Sequence, residues 1–96
     1  MSSHVVVFAT PRVGAEENAR KYSEGVQPLL AAAGIKPSFR GPVVEVVAGG
    51  PAPKTVMVLD FPDAASASAF FRQEAYQQLV ALRGKGFEQM EIYIVE

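Results

Sequence analysis

The segment His4–Thr10 limits what this chain can fold into more than any other. Val5, Val6 and Val7 are β-branched and Phe8 is aromatic, the residue types that suit a pleated strand, and Pro11 closes the run. Successive side chains of a strand point to opposite faces, so Val5, Val7 and Ala9 share one face while Val6 and Phe8 share the other. A strand wet on one side alternates apolar with polar residues. This one does not, so its sheet needs a cover on both faces.

The remaining sequence supplies helices for only one of them. Ala15–Ala33 reads as a helix, with Ala15, Ala19, Tyr22, Val26, Leu29 and Leu30 at helical spacing and Gly34 as the stop. Its outer face sets Glu16 four residues before Arg20 and Glu17 four before Lys21, the favourable order for helix ion pairs. Pro28 is expected to kink or restart it near Gln27. Lys36–Val47 and Lys54–Phe61 read as strands joined by the turn-forming segment Ala48–Pro53. Asp63 is placed to cap a helix over Ala64–Arg72, and a further helical stretch follows over Glu74–Arg83. Gly84 and Gly86 end it, and Phe87–Val95 is the last strand. The order βαββαβ predicts one α+β domain over residues 1–96, ferredoxin-like, with a four-stranded antiparallel sheet and its helices on one face. A second copy, sheet against sheet, is the simplest cover for the other face, so a homodimer is expected.

Charge and composition narrow the function. Nine basic against ten acidic residues leave a net charge of -1, which gives no cationic excess to attract nucleic acid or an anionic membrane. The absence of cysteine excludes disulfides, thiolate nucleophiles and sulfur-ligated metals from this chain. His4 is the only histidine and no carboxylates converge at ligand spacing, so no metal or other cofactor is expected. A histidine that close to the chain start is also a poor axial ligand for haem. Asn18 is the only asparagine and lies among charged helix residues, and Gly49–Gly50 lacks the following helix and lysine of a phosphate loop. The apolar run Val5–Ala9 is too short for a signal peptide and no stretch is long enough to span a bilayer, so a cytoplasmic protein is expected.

Closing the hairpin around Gly50 sets Val56 opposite Val44 and Asp60 opposite Arg40, all on one sheet face. Phe39, Val43, Met57, Leu59 and Phe61 then form the bulkier face under the helices. In that register Arg40 and Asp60 point together into the space between two subunits, as a self-satisfied ion pair or as a cationic floor for a ligand. Tyr76 and Arg83 are further ligand-binding candidates, and packing of the second helical region is their competing role.

A family resemblance rests on Phe61-Pro62-Asp63, Ala67, Phe70-Phe71, Tyr76, Leu79 and Arg83, together with Val26-Gln27-Pro28-Leu29, Gly34, Arg40-Gly41 and Gly49. In these residues the chain resembles the domain-of-unknown-function family DUF1330, within the dimeric alpha-beta barrel superfamily. It departs at Pro42, where a second glycine is usual, at Ala48, where a glutamate is, and at Phe70, where a tryptophan is common. The resemblance implies a homodimer with facing sheets and no established activity. Three classes of function follow: a small-molecule-binding dimer, a cofactor-free enzyme of oxygenase, isomerase or decyclase type on a small polar organic molecule, or a structural dimer without ligand. Concave, partly apolar space lined by Arg40 favours the first two.

Overall fold

The doubly apolar first strand takes an interior place in the sheet. In the computed structural model, which describes residues 2–96, β1 (Ser3–Pro11) pairs antiparallel with β3 (Thr55–Phe61) on one side and β4 (Phe87–Val95) on the other. The short strand β2 (Pro37–Pro42) flanks β3, giving the order β2-β3-β1-β4. Helices α1 (Glu16–Ala32), α2 (Ala64–Arg72), α3 (Glu74–Gln77) and α4 (Val80–Gly86) complete the βαββαβ plan. Val5, Val7, Leu59 and Phe61 on one sheet face pack with Tyr22, Leu30, Ala67, Phe70 and Tyr76 from the helices to form the core. Among the described residues no helix is long and apolar enough to cross a membrane.

Local chemistry fixes the helix ends. The carboxylate of Asp63 accepts the Ser66 N–H at 2.7 Å, and that bond holds its pKa below the usual carboxylate value. At the end of α1, Gly34 adopts φ +72°, the Gly34 N–H donates to the Ala31 carbonyl and the Ile35 N–H donates to the Leu30 carbonyl. These are the paired bonds of a Schellman turn, in which a left-handed residue that favours glycine lets the chain fold back over its own helix. Leu30 and Ile35, the apolar pair that accompanies such a turn, are both buried.

Three local expectations are corrected. Helix α1 does not restart near Gln27 but continues through Pro28, and the carbonyl that loses its partner there belongs to Glu24, on an exposed residue that water reaches. On that helix Arg20 pairs with Glu17 and Glu24, while Glu16 instead accepts the Gly14 N–H at 3.0 Å. The stretch expected as one helix over Glu74–Arg83 is interrupted between α3 and α4 and continues to Gly86. There the Arg12 guanidinium donates to the carbonyls of Gly84 and Phe87, meeting groups that a helix end leaves unpaired.

Gly86 also sets how closely α1 and α4 approach. A Cβ on it would lie 2.6 Å from the Ala19 nitrogen and 2.9 Å from the Asn18 carbonyl carbon, both backbone atoms. Only a residue without a side chain fits between these helices.

The face of the sheet turned away from the helices is apolar at its centre. Val6, Phe8, Val56 and Val58 are half-buried, with Phe39, Tyr93 and Val95 exposed around them. Phe8 and Tyr93 meet edge to face, with ring centroids 5.9 Å apart.

Candidate functional site

The β2–β3 register overturns the expected pairing of Arg40 with Asp60. Phe39 lies opposite Val58, Arg40 opposite Met57, Gly41 opposite Val56 and Pro42 opposite Thr55. Relative to the expected frame, Phe39–Pro42 is displaced by three residues, an odd number, so these side chains change face, and the register shifts again between Pro37 and Phe39. The expected frame centred the turn at Gly50; the strand itself ends at Pro42, the Val43 N–H still donates to the Lys54 carbonyl in the observed frame, and that frame closes around Ala48 and Gly49. Phe39 moves to the outward face and Arg40 moves under the helices. Asp60 stays outward, where its carboxylate meets His4 Nδ1 at 2.5 Å on a half-exposed surface. His4, the chain's only histidine, is therefore engaged at the strand end.

Arg40 thereby joins a half-open cavity of about 660 Å³ between the helix-side face of the sheet and α1. This volume sits inside the range of small-molecule sites, roughly 300 to 1,000 Å³. Its interior is lined by Val7, Leu30, Ile35, Met57, Leu59 and Phe70 among others. Arg20, Lys36 and Arg40 also line it, while no aspartate, glutamate or histidine does so among the described residues. The cavity exists because α1 leans on α4 at the Gly86 contact and its Schellman turn holds Leu30 and Ile35 as a wall.

Tyr76 and Arg83 come together, though neither lines the cavity. Arg83 Nη1 donates to the Tyr76 hydroxyl at 2.9 Å, and the Tyr76 and Tyr22 hydroxyls are bonded at 2.8 Å. Tyr76 is 1% exposed and packs edge to face on Phe71 and Tyr22. Tyr22, which also lines the cavity, is the member that sequence reasoning assigned only to the helix stripe. Burial, and then the bond to Tyr76, push its phenol pKa far above the usual value. At neutral pH Tyr22 is a hydrogen-bonding phenol and not a base. Polar residues in the cavity lining can orient and bind a molecule, but no carboxylate or imidazole is present there to take a proton from it.

The model of the domain of unknown function DUF1330 matches residues 5–96. The chain belongs to the DUF1330 family. No curated protein matches its sequence. Among solved structures, this DUF1330 domain is similar to a protein of unknown function from Rhodopseudomonas palustris, with TM-score 0.83 and 17% identity over 98% of this chain and 80% of that one. A dimeric ferredoxin-like protein of unknown function from a Jannaschia species gives TM-score 0.74 and 14% identity, over 100% of this chain and 99% of that chain. Another, from Bacteroides fragilis, gives 0.66 and 14%, over 99% and 95%. At such identities the likeness establishes the ferredoxin-like fold of the DUF1330 chain and leaves its chemistry to its own residues.

Proposed function

We propose that this DUF1330 chain is a homodimeric small-molecule-binding protein whose ligand occupies the cavity between the sheet and α1. The observation that carries this reading is the cavity itself, about 660 Å³ of mostly apolar space with polar side chains at few points. Arg40 is the ligand-binding residue proposed from the original candidates. Tyr76 and Arg83 support the wall by holding Tyr22, and Asp60 has no part in the site. The dimer half of the proposal is supported by the uncovered face with Val6, Phe8, Phe39 and Tyr93, and by dimeric neighbours of the same fold. The cofactor-free enzyme reading is less well supported, because the cavity lining offers no general base.

Native mass spectrometry of the purified chain tests both halves together. The expected result is a dimer, with organic molecules that leave on denaturation. Sedimentation as a monomer at micromolar concentration would refute the dimer. A cavity-filling Leu30→Trp variant that keeps every bound molecule would refute the site.

A further inference from the structure

The charges lining the cavity are of one sign. Of its three cations, Arg20 is already paired with Glu17 and Glu24. Lys36 and Arg40 form no ion pair among the described residues, and both belong to the β2 side of the cavity. Lys36 immediately precedes the strand, and Arg40 stands on its helix-side face opposite Met57. In a chain whose net charge is -1, two uncompensated cations beside an apolar chamber form a local positive field that the composition does not suggest.

That arrangement discriminates between ligands. A cationic molecule is repelled at the β2 side. A neutral apolar one fills the chamber and leaves both cations unused. A molecule with an apolar body and one anionic end satisfies the interior and the cations at once. The planar guanidinium of Arg40 matches a carboxylate in particular, since the two can share parallel hydrogen bonds. We infer that the cavity takes an amphiphilic monocarboxylate, with its chain or ring among Leu30, Met57 and Phe70 and its carboxylate held by Arg40 and Lys36. The inference rests on the cavity being the ligand site.

The test uses the full chain, with N-phenylnaphthylamine as a neutral fluorescent probe of the cavity and decanoate, decanol and decylamine as competitors of equal chain length. Decanoate should displace the probe at a concentration about tenfold below that of decanol, the low end for a hydrogen bond to a charged group, with decylamine weakest. Added salt should weaken decanoate and spare decanol. Arg40→Gln and Lys36→Gln change exposed, unpaired side chains and leave the fold intact; they should remove the advantage of decanoate while decanol binds as before. If decanol matches decanoate, or if both substitutions leave decanoate unaffected, the carboxylate inference is wrong and the cavity reading stands. If neither the probe nor any competitor binds, the cavity reading fails and the inference fails with it.

Discussion

Replacing Tyr76 by Phe keeps the ring and its edge-to-face contacts with Phe71 and Tyr22, at centroid distances of 5.0 and 6.2 Å, and removes one oxygen. That oxygen serves two bonds, to Arg83 and to Tyr22. A hydrogen bond contributes about 1 kcal/mol net, and a buried polar group left without a partner costs about 1 to 3 kcal/mol. Arg83 is only partly buried and can turn to water; Tyr22, 8% exposed, cannot. Tyr76→Phe should therefore destabilise the protein by about 2 to 4 kcal/mol. Tyr22→Phe removes one bond and leaves Tyr76 paired with Arg83, so about 1 kcal/mol is expected. The double variant should be no worse than Tyr76→Phe alone, because the stranded hydroxyl has gone. Urea unfolding at neutral pH and one fixed protein concentration measures all three. Equal single losses that add in the double variant would show that the phenols do not act as a unit, and the argument from the shared oxygen would fall.

Two further outcomes follow from the same structure. Gly86→Ala should cost about 1 to 3 kcal/mol by forcing α4 off the α1 backbone, read by thermal or urea unfolding, and a neutral result would show that the helices separate freely. Because the folded-state pKa of Tyr22 is raised, its contribution is whole below the unfolded value near pH ~10 and declines as pH rises beyond it. Urea unfolding across the alkaline range should show Tyr22→Phe losing less stability with rising pH than the parent chain; an equal alkaline loss in both would contradict the burial of Tyr22.

The architecture was legible in the sequence because its signals are local and redundant. Val5–Ala9 announced a strand apolar on both faces, Asp63 a helix start and Gly34 a helix stop, and each stands where those residues dictate. The site was less legible, since Arg40 faces the cavity only by virtue of hairpin register, and register depends on where a glycine- and proline-rich turn closes. Gly50 was taken as the centre of that turn, yet the observed frame closes around Ala48 and Gly49. Pro37 and Pro42, which bracket a strand of six residues, marked its extent but not its register. Tyr22 was read correctly as a core residue, but its bond to Tyr76 spans 54 positions and no local pattern encodes it.

The same two prolines bear on how the molecule meets others. Strand β2 is one margin of the sheet, and a margin is where backbones of separate molecules zip together. Pro37 and Pro42 have no N–H, and of the four residues between them about two turn their amides outward. So few donors make a poor template for another strand. Head-to-tail pairing of β2 with the β4 margin of another copy would also leave a fresh margin exposed after every addition and so extend without limit, whereas two-fold contact through the broad side of the sheet uses up the surface that made it. The brackets around β2 thus bias this chain toward closed assemblies over open-ended ones.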